Sequence, residues 1–160
     1  MQISLVIFDD FTDLDLFLPW DLLNRVAWES VGGLKDWQVD IIGTKESHVS
    51  MSGLHVPTTG RLDNIIDSDV VILTSGSGVN QLIQDQEYLN RIKLDPQRQL
   101  IGAIPVRESF VVNQNIATAA SCFAAQELVS WIIREKVGQA MVDKVMNSVK
   151  PVSILQQDYD

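Results

Sequence analysis

Apolar residues in this chain fall into two alternating kinds of run: short continuous stretches and longer stretches with helical spacing. "QISLVIF" (2–8) is β-branched and too short for a helix before the acidic "DDFTDLD", so it predicts a buried strand. Residues 13–30 then place Leu14, Phe17, Leu18, Leu22, Leu23 and Val26 at helical spacing, with Thr12 or Asp13 positioned to cap the helix. Pro19 lacks the N–H that a helix interior needs, so the regular helix is expected to begin near it, after an irregular turn. "VGG" (31–33) ends the unit, and "WQVDIIGT" (37–44) predicts a second strand. "VSMSGLHVPTTG" (49–60) reads as a small hairpin or arm turning near Ser52 and Gly53. A short helix follows at "LDNII" (62–66) and a buried strand at "DVVIL", which runs into "TSGSG" (74–78).

Residues 79–95 predict one or two short helices, and "QLIGAI" (99–104) a further strand. "SFVVNQNIATA" (109–119) predicts a hairpin turning at residues 113–115. Residues 121–137 form an amphipathic helical pattern with Phe123, Leu128, Val129, Ile132 and Ile133 inward. Gly138 breaks it before a last helix over 139–149. Continuous apolar strands alternating with helices define an α/β class with a mostly parallel sheet covered on both faces, in one domain spanning 1–160. In such sheets ligands bind beyond the carboxyl ends of the strands, which here means residues 9–15, 75–78 and 119–122.

Composition narrows the partners. The 160 residues carry a formal net charge of -9, and their few basic residues form no stripe, which argues against nucleic acid. No stretch is long and apolar enough for a bilayer span, and the apolar start has no basic flank of the signal-peptide kind. A single cysteine excludes an internal disulfide and a cysteine-based zinc site, and suits a reducing cytoplasm. His48 and His55 have no evident partner ligands, so neither a metal nor a cofactor is expected. Both are assigned surface or packing roles.

Three segments are candidates for chemistry. Thr74–Gly78 follows a strand and precedes a helix, where Ser75, Gly76, Ser77 and Gly78 offer backbone amides to an oxyanion or carboxylate; the alternative is a plain tight turn. Asp9, Asp10, Asp13 and Asp15 follow the first strand. Helix capping suits Asp10 or Asp13. Asp15, flanked by Leu14 and Leu16, fits that role less well, and a carboxylate among apolar neighbours can move protons. Cys122 lies in "ASCFA", whose small neighbours would admit a nucleophile at a sharp strand–helix turn. A small buried hydrophobe is the competing assignment, and no histidine lies nearby in sequence.

"LVIFDDFTDLDLFLPWDLLN", "VVILTSGSGVNQLIQD" and "FVVNQNIATAASCFAAQELVSWII" follow one another in an order that resembles the DJ-1/PfpI superfamily, over nearly the whole chain. They look closest to its isocyanide (isonitrile) hydratase branch and to sensor-like ThiJ/PfpI proteins. The resemblance implies a flavodoxin-like three-layer sandwich, a homodimer and a small-molecule ligand or substrate. It also implies Asp15 as the proton-transferring carboxylate and Gly76 as the amide near the reacting centre, with Ser75, Ser77 and Gly78 around the substrate. Family chemistry uses a cysteine at a strand–helix elbow after the strand matched by "QLIGAI". Here that strand runs straight into "PVRESFVV", with Pro105 about where the thiol is expected. An elbow unit is therefore expected to be missing at the 104–105 junction, either by true loss or by omission of a segment. Cys122 matches a later turn and would line the pocket; a weaker option makes it the nucleophile with Asp15 as base. Two functions remain: a hydratase-like enzyme adding water to a small molecule, or a non-catalytic module binding or sensing one.

Overall fold

The computed structural model describes residues 1–92 and 108–150. The expected strand at 99–104, Pro105, the 104–105 junction and the tail at 152–160 lie outside these residues. The described chain forms a parallel sheet between helical layers. Strands β1 (Gln2–Val6), β2 (Gln38–Gly43), β5 (Gly60–Arg61) and β6 (Val70–Leu73) make a four-stranded sheet in the order β5-β2-β1-β6, parallel throughout. Register aligns apolar residues across it: Leu5 faces Ile41 on one side and Ile72 on the other.

Alternation along β1 sorts the two faces. Ile3 and Leu5 point toward α1 (Asp13–Asn24), α4 (Ala125–Val137) and α5 (Gln139–Val149), packing with Leu16, Leu23, Val129, Ile133 and Val145. Val6 and Ile42 point the other way, toward Leu62 and Ile65 of a 3-10 turn (Leu62–Asp67) and Tyr88 of α3 (Gln86–Ile92). Ser4 shares that second face; it is buried, and its hydroxyl pairs with the Ser68 hydroxyl at 2.7 Å. The result is the sandwich that the alternating pattern predicts.

Two antiparallel hairpins stand apart from the sheet. β3 (Ser47–Val49) and β4 (His55–Pro57) form the arm, turning through residues 50–54. β7 (Phe110–Asn113) and β8 (Ile116–Ala119) form the second, and Gln114 takes a φ of 54° in its turn, as tight hairpins require. Helix α2 (Val79–Leu82) follows the Ser–Gly loop.

Three expectations change. Helix α1 begins at Asp13 and runs through Pro19, which is buried. Proline costs it one backbone hydrogen bond, but the packing of Leu16, Leu22 and Leu23 holds the turns on either side. Phe123 is 82% exposed rather than inward, because the chain enters α4 through a 3-10 turn (Cys122–Ala124), and that phase shift rotates its side chain out. No side chain caps α1: Thr12 is the N-cap residue without a side-chain bond, and Asp13 instead accepts from the Ser52 hydroxyl at 2.8 Å. Asp10 sits at a φ of 60° outside the helix.

Candidate functional site

Residues 9–12, which leave β1 at its carboxyl end, are the strap on which the site is assembled. On one side Asp10 N–H donates to the Val49 carbonyl (2.8 Å) and Met51 N–H to the Phe11 carbonyl (2.9 Å), tying the strap to the arm. On the other, Thr12 N–H donates to the Ser75 carbonyl (2.7 Å), and Phe11 bridges Gly76. The glycines of "SGSG" make that second contact achievable. A Cβ on Gly76 would lie 2.1 Å from the Asp10 carbonyl oxygen, and one on Gly78 would lie 1.9 Å from that of Asp9. Gly76 also takes a φ of 155°, which residues with side chains rarely adopt.

This close approach brings the first turn of α1 against the Ser–Gly loop. Asp15 accepts from the Ser75 amide at 3.0 Å and from the Ser75 hydroxyl. From the opposite side the 3-10 turn that opens α4 delivers Cys122, whose thiol is only partly exposed. Hydrogen bonding to the Asp15 carboxylate, with burial and the carboxylate's charge, pushes the thiol pKa up from its ordinary value. Ser121 caps this turn, its hydroxyl oxygen accepting from the Ala124 amide at 3.4 Å.

Asp15, Ser75 and Cys122 stand at the wall of a cavity of about 850 Å³ between β6 on one side and β8 and α4 on the other. Its walls include Leu73, Ala117, Leu128, Trp131 and Ile132. Leu73, half exposed at the end of its strand, thus has an evident place as cavity wall. Of the residues singled out in the sequence, the structure brings together Asp15, Ser75 and Cys122. Gly76, Ser77 and Gly78 do not line this cavity: the two glycines are packed on the strap, and Ser77 is exposed.

A second polar cluster lies where the arm meets the strap, and sequence reasoning missed it. His48 is buried, its Nδ1 3.0 Å from Asp9 Oδ1, while Lys45 N–H donates to Nε2 at 3.4 Å. With the Lys45 N–H directed at Nε2, Nδ1 is the ring nitrogen placed to donate to Asp9. Asp9 also accepts from the Lys45 ammonium and from Val49 N–H at 3.2 Å. Burial raises its pKa, but the bonds from Lys45, His48 and Val49 outweigh that and bring it down to about 2. A Cβ on Gly43 would come within 2.5 Å of the His48 ring, so that glycine makes room for it. The available signal was an acidic residue after a strand plus a histidine in an arm; neither spacing nor pattern links them. His55 is exposed. Among the described residues no group of three or more His, Cys, Asp or Glu side chains is placed to hold a metal ion. Nor is any helix there long and apolar enough to cross a membrane.

No family sequence model matches the chain. No curated protein matches it in sequence either. Solved structures do match in shape. A ThiJ/PfpI family protein from Pseudomonas syringae superposes with a TM-score of 0.78 at 17% identity, over 97% of this chain and 77% of that one. Schizosaccharomyces pombe DJ-1 gives 0.74 at 11% identity, over 94% of this chain and 100% of that one. An AraC family transcriptional regulator from Pseudomonas putida gives 0.64 at 14% identity, over 93% and 99%. Likenesses at such low identity establish the fold: a mixed α/β sandwich with a mostly parallel central sheet, matching flavodoxin-like DJ-1/PfpI neighbours.

Proposed function

We propose that this chain is a DJ-1/PfpI-type module that binds or senses a small molecule without turning it over. One observation carries the reading: the single cysteine stands at the cavity wall with Asp15, which raises its thiol pKa, whereas nucleophilic cysteines have theirs lowered toward the thiolate. The cavity is within the size range of small-molecule sites, and its walls combine apolar side chains with a few converging polar groups. We place the protein in the cytoplasm, as its unpaired cysteine suits, and as a homodimer.

The hydratase-like reading is favoured by the same Asp15–Cys122 contact seen from the other side. There the thiol would lose its proton to Asp15 and its sulfur would attack an isonitrile carbon. Asp15 would return the proton to that carbon, and water would then release an N-substituted formamide.

The two readings separate on incubation with a simple alkyl isonitrile, followed by NMR for the N-alkyl formamide. The binding module gives no product above the uncatalysed background. Turnover that disappears in both Asp15→Asn and Cys122→Ser variants would overturn it in favour of the hydratase.

A further inference from the structure

The cavity's charge pattern indicates what kind of molecule it holds, an inference that rests on the binding-module reading. At the end near Ser75, Asp15 and Ser75 are arranged as acceptors, while Ser121 keeps a hydroxyl proton. Asp15 is a carboxylate, and Ser75 commits both its hydroxyl and its amide proton to it, which leaves the Ser75 oxygen with lone pairs only. Ser121 lines the same end. At the far end lie Asp69, Glu135 and Lys136, and Lys136 is the one basic residue among the described lining. Asp69 is already paired with the Met1 ammonium at 4.0 Å and accepts from Gln2 N–H at 2.7 Å, which leaves Asp15 and Glu135 against one lysine ammonium around the cavity. Between the two ends the wall is apolar, formed by Leu73, Leu128, Trp131 and Ile132. It follows β6, whose four residues span about 13 Å at the usual rise of a strand.

We propose that the cavity takes a cationic amine carrying an apolar tail, with the ammonium on Asp15 and Ser75 and the tail along β6 and α4. An ammonium brings three donors and no acceptor, which suits a site that presents acceptors. Its bond to a carboxylate is charge-assisted and stronger than a neutral one. A carboxylate or phosphate head would meet Asp15 as a like charge. An alcohol would satisfy one acceptor without the charge.

Isothermal titration of the full chain with octylamine, octanol and octanoate near neutral pH and low salt tests this. Octylamine is expected to bind at least about tenfold more tightly than octanol, with octanoate weakest. Its advantage should shrink as salt rises. Asp15→Asn should bring octylamine down to the affinity of octanol, and Ala117→Phe, which fills the cavity, should weaken all three. If Asp15→Asn fails to fold, the wild-type ranking and its salt dependence decide alone. Equal affinities for the three probes would overturn the amine assignment and leave the binding module standing. Binding of none of them would overturn both.

Discussion

A thiol whose proton is held by a neighbouring carboxylate reacts slowly with alkylating agents, because the thiolate is the attacking species. Cys122 has its pKa raised, first by hydrogen bonding to Asp15. Iodoacetamide should therefore label the native protein slowly near neutral pH, with the rate climbing only above the ordinary thiol range. Asp15→Asn removes the charge and should shift the whole rate profile toward lower pH. Superimposable profiles for the two proteins would show that Asp15 does not govern the thiol. At this scale the sequence was partly legible. Asp15 stood out as a carboxylate between leucines, Ser75 as part of a Ser–Gly loop, and Cys122 as a cysteine among small residues. Their convergence was not legible, since it depends on how far two backbones approach. That distance is written in Gly76 and Gly78, whose ordinary signature is any tight turn. Replacing either with alanine should destabilise the protein by about 1–3 kcal/mol, measured by chemical denaturation. The added methyl would meet backbone carbonyls, which cannot swing aside as a flexible side chain can.

Between elements, the strap at residues 9–12 couples the arm to the Ser–Gly loop, and the Asp9–His48–Lys45 cluster fastens the arm's end of it. In the folded chain Asp9 remains ionised down to about pH 2, whereas the unfolded chain protonates it near 3.8. Between these values the unfolded state binds more protons. The Asp9 contribution is therefore fully present above about pH 4 and is lost as pH falls toward 2. Its side chain is 45% exposed, so solvent screening keeps that contribution modest. Asp9→Asn should accordingly flatten the acid limb of a stability–pH curve while changing little near neutrality beyond a constant offset. An unchanged acid limb would show that the lowered pKa carries no stability. His48→Ala should cost more, about 2–4 kcal/mol in denaturant, because it opens a buried space and strands the amide of Lys45. The pattern left surface and packing roles equally open for this histidine, and only tertiary contact shows that it is buried against Asp9. The elements themselves were more legible. Periodicity located β1, β2, β6, both hairpins and α5, but it misplaced the start of α1, where packing overrides Pro19, and the face of Phe123, where a 3-10 turn changes the helical phase.

For the molecule as a whole, sheet and layers followed from continuous apolar strands, since a strand that is apolar on both faces needs cover on both. What such a pattern leaves unstated is which apolar residues remain outside. Leu14, Met51 and Leu54 are each about half exposed, on two segments that the Ser52–Asp13 hydrogen bond and the Met51–Phe11 backbone bond hold side by side. The proposed homodimer would use this face. Exposed apolar residues on two adjoining segments are suited to a self-complementary contact, in which each residue meets its counterpart region across a twofold axis. A stable interface buries about 800 Å² per partner, more than these three side chains supply, so neighbouring surface of α1 must take part. Sedimentation equilibrium of the wild-type chain at micromolar concentration should return a dimer. Met51→Asp together with Leu54→Asp should return a monomer of unchanged circular dichroism, because both positions lie outside the core clusters and a charge there disturbs only the contact. A wild-type chain that stays monomeric across that range would remove this face as an interface. It would leave the cavity untouched, because none of the three residues lines it.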